Sequence, residues 1–360
     1  MRAGVFGGPH VLLARALREG VAPTRLGTFA ALFASAMLSL PATLAARLRG
    51  RVLPPPPLVH PPLFVLGHYR SGTTLLHKLL AAPAHLGTVD TFDLLFPVAP
   101  AAVKRVTLPA LQLAVRRLGI RQGFFYDSPL RLDDPNEVEP WLLALGSEWS
   151  SYWGYLFPRV GLEYLNRFVG LEDPERRRGW QRAYDQALRR AAARSGGRAL
   201  VIKDPPNTGR VGALLELWPD ARFAHVKRDP ADVLRSMRDL WRATILPRFS
   251  LQRISHRDVD RIVLGHYEAL MGAWLAQRDR IDRGRLVEVG YEDLVADPLN
   301  TALRVADSLA VPLDDAGRDA IAIRANRERG YRGRPSAGAD DLPPGWQEAA
   351  ERWRRRLATP

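Results

Sequence analysis

The chain has 360 residues, 46% hydrophobic and 25% charged, enough for one large or two small globular domains, which excludes collagen-like, wholly disordered and peptide-sized architectures. With no cysteine, it cannot use disulfide frameworks, thiol catalysis, iron–sulfur clusters or Cys-ligated zinc. The formal charge of +14 is carried mainly by arginine, since only Lys78, Lys104, Lys203 and Lys227 are lysines; it suits an anionic ligand, nucleic acid or anionic lipid, and equally a GC-rich genome.

From Gly27 to Ala46 the chain is uncharged, bracketed by Arg18 and Arg25 on one side and Arg47, Arg49 and Arg51 on the other. Its Ala, Ser and Thr content, Pro41 and basic residues on both flanks argue against a span or a secretory signal. Residues 27–46 are therefore expected as an apolar helix packed on the body or making peripheral contact with a membrane, in a protein otherwise expected in the cytoplasm. Pro54–Pro57 with Pro61 and Pro62 forms a stiff extended linker, so residues 1–62 are set apart from a main domain at 63–335 and a polar tail at 336–360. Within that tail a short basic helix is expected from Trp346.

The main domain reads as alternating strands and helices. Apolar runs at Leu63–Leu66, Ala199–Lys203, Arg222–Lys227 and Leu286–Val289 each precede a turn and a helical pattern. This predicts an α/β fold: three layers, a mainly parallel sheet with helices on both faces, and a helical insertion over roughly Asp90–Arg194 that shapes a substrate site.

Gly67-His68-Tyr69-Arg70-Ser71-Gly72-Thr73-Thr74 stands where the first strand turns into a helix. Two glycines with four residues between them permit a tight loop whose amides, with the helix N-terminus, converge on an anion. Arg70, Ser71, Gly72, Thr73 and Thr74 are the expected phosphate contacts. A nucleoside-triphosphatase loop needs lysine where Thr73 stands; in this chain the cation is Arg70. A second site follows the third strand, where Arg228-Asp229-Pro230 precedes Ser236 by two helical turns, so that Arg228 and Ser236 can reach one phosphate. Asp229 and Pro230 also suit an ordinary helix start. Two phosphate sites imply a nucleoside phosphorylated at both ends.

These segments resemble the sulfotransferases that use 3′-phosphoadenosine 5′-phosphosulfate, with the first loop matching their 5′-phosphosulfate motif and Arg228 and Ser236 their 3′-phosphate pair. Tyr291-Glu292-Asp293-Leu294, followed by Asp297-Pro298, resembles the family segment whose tyrosine lies by the adenine, and Arg329-Gly330 a truncated 3′-phosphate loop. The resemblance covers about Leu63 to Gly333 and implies the P-loop-like sulfotransferase fold, transfer of a sulfuryl group to an acceptor hydroxyl or amine, and no metal. Arg70 then stabilises the leaving phosphate, and Lys203 contacts the sulfuryl group or simply neutralises Asp204.

The histidine base of related cytosolic enzymes is replaced by Pro205. Other branches use a glutamate, and the segment Leu132–Trp141 resembles the acidic segment of related bacterial enzymes, which implies Glu137 as general base with Glu139 second; burial beside Trp141 and Trp149 would suit a carboxylate to the task. First-turn acids also stabilise a helix N-terminus, and His68 is a further candidate. Tyr152, Trp153, Tyr155 and Phe157 are expected as core or acceptor pocket, and Asn207, Thr208 and Arg210 as a polar loop able to contact substrate. The acceptor, whether carbohydrate, lipid, phenol or small metabolite, has no transferable motif; neither has the oligomeric state. Nucleic acid is not the expected partner. The competing readings are a nucleotide-dependent phosphotransferase, with Asp204 as its Mg²⁺ ligand, and an inactive basic adaptor at a membrane or polyanion surface.

Overall fold

The computed structural model describes residues 9–52, 54–96, 99–119, 121–122, 128–129, 131–145, 147–328 and 342–358. Two helices come first, α1 (Pro9–Glu19) and α2 (Leu26–Val52), followed by β1 (Leu63–Leu66), α3 (Thr73–Leu80) and β2 (Leu86–Gly87). The predicted insertion then contains α4 (Thr91–Leu95), α5 (Ala101–Arg117), a small ribbon of β3 (Arg121–Gln122) and β4 (Ser128–Pro129), α6 (Val138–Ala144), α7 (Trp153–Leu156), α8 (Gly161–Asn166) and α9 (Pro174–Arg194). After it come β5 (Ala199–Lys203), α10 (Val211–Leu217), β6 (Arg222–Lys227), α11 (Pro230–Leu240), α12 (His256–Gln277), β7 (Leu286–Gly290), α13 (Tyr291–Ala296), α14 (Pro298–Ser308), α15 (Asp315–Arg327) and α16 (Trp346–Ala358).

The sheet has strand order β2-β5-β1-β6-β7, every pairing parallel. Because side chains alternate across a strand, each apolar run serves two cores. Phe64, Leu66, Leu200, Ile202 and Phe223 enter the larger core with α6, α9, α11 and α12. Leu63, Val65, Val201, Ala224 and Val226 enter the other, closed by α3, α14 and α15. This is the expected three-layer architecture, with the two central strands delivering their carboxyl ends to one edge, where α/β proteins bind ligands.

The segment 15–25 and helix α16 are both tied to this body. Ala22 N donates to Leu251 O at 2.9 Å, and Arg25 donates to the carbonyls of Leu246 and Pro247. The Arg15 guanidinium lies 4.6 Å from the Trp153 ring centroid. At the other end, Trp346, Ala350 and Trp353 of α16 are buried in the larger core, so the segment expected as a polar tail carries a packed helix. Arg352, Arg354, Arg355 and Arg356 around them face water.

Candidate active site

The loop between β1 and α3 is held in a shape only glycine permits at two points. Gly67 has φ +138°, and a Cβ there would lie 2.6 Å from Ser71 Oγ and 2.8 Å from Val226 O; Gly72, at φ +95°, would place one 2.6 Å from the Tyr291 ring. Arg70 itself adopts a left-handed φ of +69°, a conformation L-residues hold mainly where surrounding structure imposes it. Ser71 Oγ donates to His68 O at 2.7 Å, and Thr208 straps the loop to β5 by accepting from Gly67 N and donating to Gly67 O. The first-turn amides of α3 open from this loop, as at every helix N-terminus.

Around the loop the structure gathers the predicted phosphate ligands. Arg70 Nε donates to Ser236 Oγ at 2.9 Å, and Arg228 Nη1 donates to Arg70 O at 2.8 Å. The Arg228 guanidinium sits 4.1 Å from the centroid of Tyr291, whose ring rests on Gly72. Asp229 and Pro230 start α11, with Asp229 accepting from Ala231 N, which carries Ser236 round to this side. Arg228 Nε is buried without a hydrogen-bond partner, an unmet donor beside the cradle. Arg70, Ser71, Gly72, Arg228, Ser236 and Tyr291 thus converge, although they come from three separate segments. Thr73 and Thr74 open α3. Arg329 and Gly330 lie outside the described residues, while Glu328 just before them accepts from Lys78 and Arg324.

A second cluster lies at the end of β5. Lys203, 5% exposed, forms an ion pair with Glu137, whose other oxygen accepts from the Tyr152 hydroxyl. Burial and the Glu137 charge push the Tyr152 phenol well above its ordinary range, so it stays protonated and donates its hydrogen bond to that carboxylate. Glu137 is the N-cap of α6, which aims its carboxylate away from the helix that begins beside it. The sequence places Tyr152 among aromatics of the core or an acceptor pocket and carries no sign of its bond to Glu137.

The remaining acids differ from expectation. Glu139, the second candidate base, is fully buried: Oε1 takes Arg210, while Oε2 takes Ser150 Oγ, Ser151 N and Ser151 Oγ. Held by these bonds, it braces α6 against Arg210 and the turn at Ser150 and Ser151, an interior position. Asp204 likewise accepts from Glu139 N and from the Tyr184 hydroxyl, the latter at 2.6 Å. Burial, with the charges of Glu139 and Glu137, pushes its carboxyl well above the usual carboxylate range. It is fully buried and faces the interior. Asn207, Thr208 and Arg210 are also fully buried, internal struts where a substrate loop was expected. Trp141 and Trp149 pack elsewhere, Trp141 beneath Arg194 and Trp149 against Gly179 and Phe168.

His68, the further base candidate, is buried with Nδ1 on Tyr69 O, and burial lowers its pKa to about 4. Its ring lies among His266 and Tyr267 rather than beside Glu137's partners.

The parallel sheet, the strand–glycine loop–helix cradle and the paired arginines define the P-loop-like class of α/β proteins. The sequence profile of the sulfotransferase family matches residues 61–315, and the chain belongs to that family. The omega-hydroxy-beta-dihydromenaquinone-9 sulfotransferases Stf3 of Mycobacterium bovis and Mycobacterium tuberculosis are each 28% identical over 257 residues, 71% of this chain and 64% of theirs. The match thus spans a little under two thirds of these relatives' length. In fold, the chain is similar to sulfotransferase STF9 from Mycobacterium avium (TM-score 0.71, 17% identity, 100% of this chain and 97% of that one) and to STF1 from Mycobacterium tuberculosis (0.68, 19%, 97% and 90%).

Proposed function

We propose that the protein transfers a sulfuryl group from 3′-phosphoadenosine 5′-phosphosulfate to an acceptor hydroxyl. The observation that carries this reading is the juxtaposition of an arginine-lined anion cradle with a separate lysine–carboxylate pair, Lys203 and Glu137. Two anion-binding groups of residues match a nucleotide phosphorylated at both ends: the 67–74 loop, with Arg70, for the 5′-phosphosulfate, and Arg228 with Ser236 for the 3′-phosphate. The unmet Arg228 Nε supports such a ligand, since a buried guanidinium nitrogen without an acceptor is costly to leave so. Tyr291, between Gly72 and Arg228, is within reach of the adenosine.

In the reaction the acceptor oxygen forms a bond to sulfur as the sulfur–oxygen bond to the 5′-phosphate breaks. Glu137 takes the hydroxyl proton. Tyr152 holds that carboxylate in place, and Lys203 exchanges its carboxylate partner for the oxygens of the sulfuryl group. Arg70 and the N-terminus of α3 balance the charge left on the departing phosphate, acting as fixed donors that need not reorganise. The contribution of the Arg70 guanidinium is electrostatic.

Stf3 is named for a hydroxylated menaquinone derivative, which supports a hydroxyl on an apolar small molecule or lipid as the acceptor class of this chain. Incubation with radiolabelled phosphosulfate donor and a panel of hydroxylated quinones, phenols, sterols and sugars tests this. Labelled product that vanishes in Glu137→Gln supports the reading. Hydrolysis or transfer at equal rates in wild type and Glu137→Gln would contradict it.

A further inference from the structure

Among the described residues fifteen large apolar side chains are exposed, and thirteen of them lie on two short stretches of chain. Seven belong to α1 and α2, with Leu38 at 84% exposure, and six to α4, α5 and the residues just after them, with Val106 at 76%. Scattered exposed leucines need no explanation, whereas such concentration marks two patches that are covered in use.

Helix α2 shows why. Phe29 and Phe33, stacked at 5.9 Å, form a thin stripe against the body, while Leu26, Leu32, Met37 and Leu38 face outward. A helix that is apolar on nearly every side is normally buried, and this one has the protein on one side only. It cannot solve the problem by spanning a bilayer, because no helix among the described residues is long and apolar enough to cross one.

Charge identifies the occupant. No Asp or Glu occurs between Glu19 and Asp90, nor between Asp93 and Asp127. The uncharged stretch of α2 is bracketed in sequence by arginines, and Arg105, Arg116 and Arg117 on α5 are exposed. A two-fold contact with a second copy would set like-charged rims against each other. A layer of anionic headgroups over an apolar interior matches both features. The helices are also fastened to the segments that carry the site. Leu12 and Ala16 of α1 pack with Trp153, next to Tyr152, and Gln112 of α5 accepts from Leu132 N in the segment leading to Glu137.

We infer that the exposed apolar faces of α2 and α5 seat the protein on the surface of an anionic lipid bilayer. Such docking would bring the segments bearing Tyr152 and Glu137 close to molecules dissolved in the membrane, but the surface itself does not depend on the proposed chemistry.

The test is sedimentation of the full chain with vesicles of phosphatidylcholine alone and of phosphatidylcholine with phosphatidylglycerol. Wild type should pellet with the anionic vesicles, less as salt rises. Met37→Asp/Leu38→Asp and Val106→Asp/Leu113→Asp should each weaken that partition about tenfold or more. Unchanged thermal unfolding and unchanged binding of 3′,5′-adenosine bisphosphate would show both variants folded. Failure to pellet with anionic vesicles, a loss confined to one pair of substitutions, or a wild-type dimer that these substitutions split, would overturn the inference. If the wild type bound no bisphosphate while vesicle binding behaved as expected, the nucleotide reading alone would fail.

Discussion

Lys203 and Glu137, sixty-six positions apart in sequence, meet as an ion pair at the carboxyl end of β5, both largely buried. The lysine arrives on a strand and the glutamate on the N-cap of a helix from the insertion, so the pair marks where the sheet and the insertion form one site. In the proposed transfer each partner has a different task, and their contact holds both in register.

Removing the carboxylate's basicity should therefore separate chemistry from binding. Glu137→Gln is expected to lower turnover by about 10² to 10⁴, the usual worth of a general base, with bisphosphate affinity changed less than about threefold. Lys203→Ala should also lower turnover. Steady-state rates beside calorimetric affinities check the split.

The paired phosphate ligands predict the opposite pattern. Arg228→Ala removes a charge-assisted donor of roughly 1.5–3 kcal/mol, so the bisphosphate dissociation constant should rise about ten- to a hundredfold. Ser236→Ala should cost less, since it removes a neutral hydroxyl while also releasing Arg70 Nε. Calorimetric titration of both variants with the bisphosphate and with 5′-AMP should show the loss confined to the bisphosphate.

Glu139 predicts a stability effect. Glu139→Ala would leave Arg210 charged in a fully buried site and is expected to cost about 3–5 kcal/mol, read as a large fall in unfolding midpoint. A Glu139 variant with wild-type stability and lost turnover would reverse the roles of the two glutamates.

Buried histidines set the acid limit. Burial lowers the pKa of His68 to about 4 and of His77 to about 3, with nearby Lys203 adding to the effect on His77, and His266 is held well below 6.5 by burial and the neighbouring His68. All three are neutral in the fold near pH 6, while in the unfolded chain they take up protons below about pH 6.5. Stability is therefore full above pH 6.5 and should fall as pH drops toward 4, by up to ~1.4 kcal/mol per pH unit for each histidine. Chemical denaturation at pH 7, 6, 5 and 4.5 reads this slope, and the double variant His68→Asn/His266→Asn should flatten it.

The parts legible in the sequence were those in which chemistry and local structure coincide in a short segment. Gly67 and Gly72 announce the cradle because no other residue fits their backbone, and the apolar runs at 63–66, 199–203 and 222–227 announce a sheet buried on both faces. Arg228 and Ser236 could be paired because one helix links them. The rest depended on contacts between distant segments. Glu137 and Glu139 look alike in sequence, and only the fold sends one to Lys203 and the other to Arg210. Tyr152 carries no local signal of its partner, and the polar loop at 207–210 reads as exposed until its side chains are seen bonding inward to Gly67, Tyr184 and Glu139. The packed position of α16 was hidden because Trp346 and Trp353 lie in a segment dominated by arginine.

Calorimetric titration of the purified protein with 3′,5′-adenosine bisphosphate, beside ATP and 5′-AMP, without added metal and at two salt concentrations, tests the central claim most directly. The account predicts selective binding of the bisphosphate that is lost in Arg228→Ala and persists in Glu137→Gln. No binding, or a preference for ATP that requires Mg²⁺, would contradict it.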